Sequence, residues 1–189
     1  METRFRDAGV ETIRADLLVV PVQEKKLEEA PLRALDRRLR GKFSERIQKS
    51  KFTGAEGSAL LYPASGLLPS SHLLLLGMGS ANDIESDVWR KAGARARREA
   101  AGVGAADIAL FFAPAGSPEQ AAAAIVEGMM LASYQFNKYR SNSKNSAAVN
   151  NLTFFRPGLS RNAAFEKSIA AAQRAMPGVY LARDLINEP

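Results

Sequence analysis

The chain has 189 residues, 46% of them hydrophobic and 24% charged, with a net charge of +6. That is the profile of a globular protein with room for a core, and it excludes a disordered or fibrous chain. No apolar run approaches the ~20 residues of a membrane helix, the charged opening METRFRDAGVE lacks the apolar stretch of a signal peptide, and the absence of cysteine excludes disulfides and thiolate metal sites and fits an expected cytoplasmic location.

In chain order, the opening FRDAGVETI is consistent with an edge strand, and Asp16-LLVVPV-Gln23 is a short apolar run of the kind that forms a buried strand. Leu27 to Lys49 reads as a helix interrupted at Gly41. Phe52-TGAEG-Ser58 is a turn leading into a second apolar run, Ser58-ALLYP-Ala64, and a third follows at His72-LLLLGMG-Ser80. From Asp83 to Val103 the pattern becomes helical. At 100° per residue, Trp89, Gly93, Ala96, Ala100 and Val103 fall on one side and Lys91, Arg95 and Arg98 opposite. Ala106-DIALFFAP-Ala115 is again strand-like. Ser117-PEQAAAAIVEGMMLASYQF begins with a Ser N-cap, Pro at N1 and Glu at N2, a clear helix start. The polar segment Tyr139-RSNSKNSAAVNN is expected to be a mobile loop. Asn151-LTFF-Arg156 is the last strand, and Ser160 to Ile186 reads as a helix broken near Met176-Pro177-Gly178. Glu188, before Pro189, is expected to leave the helix.

Strands with continuous rather than alternating hydrophobicity are covered on both faces. Alternating with helices of this length, they predict a three-layer α/β/α sandwich with a mixed, mostly parallel sheet. With no internal repeat and no Pro-rich linker, residues 1–189 read as one domain.

Residues that could carry chemistry are sparse. The single histidine, His72, stands at the mouth of a strand without a partner His or Cys, and no Gly-x-Ser-x-Gly elbow surrounds any serine. Leu76-GMGS-Ala81 is either a tight strand-to-helix turn or a phosphate loop built on Gly77, Gly79 and Ser80; it lacks the third glycine of a dinucleotide fingerprint and the Lys-Ser/Thr of a P-loop. Asp83, Glu85 and Asp87 cluster near a helix start, where they complement the macrodipole. Tyr134, Phe136 and Tyr139, beside Lys138 and Arg140, either pack the helix end against the sheet or stack on bases. Between Arg33 and Lys51 there are eight basic residues against two acids, an excess equal to the whole net charge. That stretch is either a solvated face or a phosphate-binding patch, with Arg37, Arg38, Arg40, Lys42 and Arg46 as its contacts and the helix carrying Arg90, Lys91, Arg95, Arg97 and Arg98 as a second source of charge.

Four stretches, in order along nearly the whole chain, carry a resemblance. Gly178-VYLARDLINE-Pro189 resembles the segment that joins the two domains of the leucyl (cytosol) aminopeptidases. Phe52-TGAEG is similar to that family's Phe-x-Gly-Lys-x-Gly-Glu, Leu73-LLLGMG to its Leu-Leu-Val-Gly-Leu-Gly strand, and Glu127-GMMLASYQFNKYRS to its Glu-Gly-x-x-Leu-x-x-Tyr-x-Phe-x-x-Tyr-Lys. Ala55 stands where a lysine is common, and Pro177 interrupts a helix that is usually smoother.

The resemblance implies a non-catalytic N-terminal domain with a macro-domain-like fold. Residues 178–189 would begin the connection to a C-terminal catalytic domain of the same polypeptide. It implies hydrolysis of N-terminal residues from peptides by that second domain. It also implies two divalent ions there, zinc or manganese, held by Asp, Glu and Lys ligands, and a hexameric assembly. The family's Asn-Thr-Asp-Ala-Glu-Gly motif does not occur in this chain, so no catalytic or metal-binding residue is carried over. Some bacterial members bind DNA, which keeps the basic patch in view as a nucleic-acid module. A macro-like binder of nucleotide derivatives, with Gly77 to Ser80 at the phosphate, is the third alternative.

Overall fold

A computed structural model of the chain describes residues 1–81, 84–139, 148–161 and 163–188. Asp83, the polar loop from Arg140 to Ala147 and Pro189 lie outside the described residues. The elements follow in the order β1 (Glu2–Asp7), β2 (Leu17–Val22), α1 (Ala30–Arg38), α2 (Lys42–Ser50), β3 (Ala59–Pro63), β4 (His72–Gly77), α3 (Ser86–Val103), β5 (Asp107–Phe111), α4 (Pro118–Ser133), β6 (Asn151–Arg156) and α5 (Ala163–Asn187).

The strands form one sheet in the order β1-β6-β5-β2-β4-β3. Neighbours are parallel except β3, which pairs antiparallel with β4 at the edge. Strand β2, in the interior of the sheet, shows why the apolar runs are continuous. Leu17 and Val19 point into one core with α3, α4 and α5, while Leu18, Val20 and Val22 point into a second core with α1 and α2. Successive side chains alternate across a strand, so a strand covered on both sides must be apolar at every position. The result is a three-layer α/β/α fold with a mixed, mostly parallel sheet.

Local signals act where the sequence places them. Gly41 takes φ of 75° between α1 and α2, a value glycine adopts without steric cost. Ser117 caps α4 by accepting a hydrogen bond from the Gln120 amide at 3.4 Å. Helices α3 and α4 meet through glycines. A Cβ on Gly93 would lie 2.2 Å from the Ile125 carbonyl oxygen, and one on Gly128 would lie 1.9 Å from that of Arg90.

The structure corrects three expectations. The first strand runs from Glu2 to Asp7 rather than through FRDAGVETI, because Thr12 and Ile13 turn back onto the Gly9 carbonyl. Helix α3 begins at Ser86, three residues after Asp83. Most important, α5 is not broken at Pro177 but runs unbroken for 25 residues. Proline removes one backbone donor, but side chains on either side of it anchor the helix. Met176 is buried in front of it, and Tyr180 and Arg183 are tied to α4 behind it. Asn187 is the last helical residue; the Glu188 amide still donates to the Asp184 carbonyl at 2.9 Å.

Candidate functional site at the α4 exit and the end of α5

The first half of α5 packs into the core through Phe165, Ile169, Ala172 and Met176, spaced as one helical stripe. Beyond Met176 no residue of the helix is buried, and polar anchors replace apolar ones. The Tyr180 hydroxyl donates to the Met130 carbonyl at 2.6 Å, and the Arg183 guanidinium donates to the Leu131 carbonyl at 3.3 Å. Both acceptors lie in the last turn of α4, where carbonyls have no helical donor and must be satisfied from outside.

Past the end of α4 the chain turns across this helix. Tyr134 packs its ring on Tyr180, centroids 5.5 Å apart, lies beneath the Arg183 guanidinium at 5.3 Å, and donates its hydroxyl to Asp184 Oδ1 at 2.8 Å. Lys138 Nζ and the Tyr139 hydroxyl hold the two oxygens of Glu188. Burial raises the Tyr134 and Tyr180 phenols above their ordinary 10.0, so both remain donors. The Lys138 hydrogen bond, with that of Tyr139, lowers the Glu188 carboxyl below its ordinary 4.5. The arrangement is a clasp that fixes the direction of the last turns of α5. Through Tyr134, Lys138 and Tyr139 on one side and Tyr180, Arg183, Asp184 and Glu188 on the other, it joins two of the four stretches that carry the resemblance. Tyr134 packs against α5, not against the sheet.

The other sequence-derived candidates are placed as follows. Arg33, Arg37, Arg38, Arg40, Lys42, Arg46 and Lys51 are all exposed on α1, α2 and the adjoining turns, with no ion pair among the described residues. Only Lys49 of that group is paired, with Glu45, while Asp36 binds the Ser44 amide and hydroxyl. The cations of α3 lie across the sheet from these and are engaged within the protein. Arg90 meets Asp87 and Glu127, Lys91 meets Asp87 and Glu56, and Arg95 meets Glu99. Arg97 is only 4% exposed and donates to Ser133 Oγ at 2.8 Å. Arg98 is exposed. The fold therefore does not bring the two basic groups together.

Three amides of the turn at Gly77 to Ser80 are used internally. Those of Gly77, Met78 and Gly79 donate to the carbonyls of Ser58, Val22 and Gly54 at 2.8–3.0 Å. A Cβ on Gly77 would lie 2.0 Å from the Ala55 carbonyl oxygen, so its glycine serves close packing of the Phe52–Ser58 turn. Beside this turn, at the carboxyl ends of β2 and β5, lies a cavity of about 50 Å³ lined by Gln23, Met78, Trp89 and Phe111. Ligand pockets run to roughly 300–1,000 Å³, so this cavity is smaller than a typical one. His72, half-buried, opens β4. Among the described residues no three His, Cys, Asp or Glu side chains are grouped to hold a metal ion. Asp16 Oδ2 accepts hydrogen bonds from the amides of Ala106 and Asp107, both at 2.9 Å.

A family model described as the N-terminal domain of the cytosol aminopeptidase family matches residues 19–143. This chain belongs to the cytosol aminopeptidase family. A probable cytosol aminopeptidase of Alkaliphilus oremlandii is 31% identical over 195 residues, covering 100% of this chain and 39% of the relative. One from Syntrophotalea carbinolica is 31% identical over 186 residues, covering 94% and 37%. A mutant of tomato leucine aminopeptidase superposes with a TM-score of 0.86 at 26% identity, over 100% of this chain and 38% of that one. The chain thus spans less than two fifths of the length of these relatives. No described helix is long and apolar enough to cross a membrane.

Sequence reasoning found both halves of the clasp as motifs but missed their contact, since the partners are about fifty residues apart. The signal was there in the polar tips of Tyr134, Tyr139 and Tyr180. The hydroxyls of Tyr134 and Tyr139 find the carboxylates of Asp184 and Glu188 in the other motif, and that of Tyr180 finds the Met130 carbonyl.

Proposed function

We propose that this chain is the non-catalytic N-terminal domain of a leucyl aminopeptidase-like metallo-exopeptidase that removes N-terminal residues from peptides in the cytoplasm. The observation that carries this reading is the match of the whole chain to only 39% of a cytosol aminopeptidase. The catalytic portion, with its two zinc or manganese ions, corresponds to the remainder; there the metals would activate water and polarise the scissile carbonyl. In this reading residues 1–189 form one domain and residues 178–189 lead toward the catalytic portion. The domain's own task is structural. By clasping α5 it sets the direction in which the catalytic portion is carried, and thereby supports subunit packing in a hexamer and access to its interior.

The test is hydrolysis of leucyl-p-nitroanilide by the 189-residue chain with zinc or manganese added. We expect no turnover above the blank; metal-dependent turnover by this chain alone would overturn the non-catalytic assignment.

A second reading, a DNA-binding module, is favoured by the seven exposed cations on α1, α2 and their turns that form no ion pair among the described residues. If all seven neutralise phosphates, log K falls against log salt with a slope of roughly −6. Retardation of duplex DNA that is absent at low salt, or indifferent to salt, removes this reading.

A further inference from the structure

We infer that the cleft at the amino ends of the parallel strands binds a zwitterion, a ligand that carries an ammonium and a carboxylate at once, as free amino acids and short peptides do. The cleft measures about 620 Å³, within the roughly 300–1,000 Å³ of ligand pockets, and it lies at the end of the sheet opposite the Gly77 turn. Its floor follows from strand register. Arg4 stands beside Thr153, Arg6 beside Phe155, and Asn151 beside Asp107; side chains paired in this way share one face of the sheet. Phe155 belongs to the core under α1 and α2, while Phe5, between the two arginines, stacks on Phe154 on the other side. Arg4 and Arg6 therefore extend over the α1 and α2 face, and both are exposed there. The wall is the segment 8–16. Buried Val10 and Ile13 pin it to the core, and the Ser70 hydroxyl donates to the Ile13 carbonyl at 3.0 Å. The Ser71 amide donates to the Ala15 carbonyl at 3.3 Å, so exposed Arg14 stands on a held backbone.

Arg4, Arg6, Arg14, Asp7, Asp16 and Asp107 line this cleft, and among the described residues no ion pair joins one of these arginines to one of these aspartates. Their unused capacity is of both signs. Arg4 is satisfied: its two hydrogen bonds to Glu2 raise it above its ordinary value, and the Asp107 charge, beyond ion-pair distance, adds to this. Arg6 and Arg14 form no hydrogen bond or ion pair among the described residues. Each aspartate commits one oxygen. Asp7 Oδ1 accepts the Gly158 amide, Asp16 Oδ2 the amides of Ala106 and Asp107, and Asp107 Oδ1 the Asn151 side-chain amide. The second oxygen of each remains open. An anion alone would be repelled by the three aspartates and a cation alone by the arginines, whereas a ligand with both charges meets each with its complement. Guanidinium–carboxylate hydrogen bonds are among the strong ones, and charges within a cleft are screened less than those on open surface. This site is separate from the reading of the chain as a non-catalytic domain, since its ligand class comes from the charges of the cleft alone.

The probes are alanine and alanyl-alanine, titrated at low salt into the isotope-labelled 189-residue chain and followed by its amide chemical shifts. We expect saturable shifts at residues 12–16 and 151–153, with a Kd below about 10 mM. The tighter of the two probes names the source, a free amino acid or a peptide; the size of the cleft predicts the dipeptide. N-acetyl-alanyl-alanine, without the ammonium, and alanyl-alanine amide, without the carboxylate, should each bind about tenfold or more weakly. Arg6→Gln and Arg14→Gln, both at exposed positions, should each weaken the dipeptide by about tenfold. Asp7→Asn, which keeps an acceptor for the Gly158 amide but loses the charge, should do the same, and Arg33→Gln on α1 should change nothing. Absence of saturable shifts at the cleft overturns the inference. An acetylated peptide that binds as well as its parent would make the cleft an anion site, and an amidated one that does so a cation site; either result also overturns it. Binding that survives both arginine substitutions places the ligand elsewhere and overturns it as well.

Discussion

Replacing Gly128 by alanine places a methyl group 1.9 Å from the Arg90 carbonyl oxygen and 3.0 Å from the Ala94 amide nitrogen. These are backbone atoms of α3 and cannot rotate aside, so α3 and α4 must separate by on the order of 1 Å. Overpacking of this kind costs about 1–3 kcal/mol, and a backbone obstacle puts Gly128 at the upper end. Alanine returns up to ~1 kcal/mol through its better helix propensity, leaving a net loss of about 2 kcal/mol. Gly102, exposed near the end of α3, provides the opposite case. An added Cβ there meets nothing within 4 Å, so only the propensity gain remains and the variant should be more stable by about 0.5–1 kcal/mol. For a chain of this size each kcal/mol moves Tm by roughly 2–4 °C. Gly128→Ala should therefore melt about 4–8 °C lower and Gly102→Ala about 2 °C higher, measured by far-UV circular dichroism and by the fluorescence of the single tryptophan, Trp89. Equal shifts in the same direction, or a Gly128→Ala protein as stable as the parent, would refute the close helix crossing.

Further outcomes concern α5 and its clasp. Tyr180→Phe leaves the Met130 carbonyl without its donor and should cost about 1 kcal/mol, seen first as faster hydrogen exchange of amides in the last turns of α5. Pro177→Ala restores the missing backbone donor in a helix that is already continuous. It should raise Tm by several degrees, since proline is about 3 kcal/mol less favourable than alanine inside a helix; a fall in Tm would mean that the helix depends on the proline. Glu188, whose carboxyl the Lys138 ammonium holds below 4.5, contributes stability that is present above pH 4.5 and is lost as pH falls through its lower folded value. Lys138→Met should move the NMR titration midpoint of Glu188 back toward 4.5; an unchanged midpoint would show that the pair does not form in solution.

The strands were legible because burial on both faces writes itself into consecutive residues: Leu17 to Val22 and Leu73 to Leu76 are apolar throughout. Gly41 and Ser117 were legible because their physics is local. What the sequence hid depends on partners distant along the chain. Pro177 is a helix breaker by every local rule, and the groups that hold the helix beyond it, Met130 and Leu131, lie some fifty residues away. The α3 arginines and lysine formed a basic face on a helical projection, but Glu127 meets Arg90 and Glu56 meets Lys91 in the fold. The glycines of Leu76-GMGS-Ala81 suggested a phosphate loop until their amides were found bonded to Val22, Gly54 and Ser58. In each case the residue type was read correctly and its partner was not.

The most direct test of the domain's role is sedimentation velocity on three proteins: the full-length Alkaliphilus oremlandii relative, that relative with its matched region deleted, and the chimera carrying residues 1–189 in its place. We expect the deletion to lose the assembly of the full-length protein and the chimera to regain it. A deletion protein that assembles like the full-length relative, or a chimera that remains as dispersed as the deletion, would contradict the role proposed for this domain.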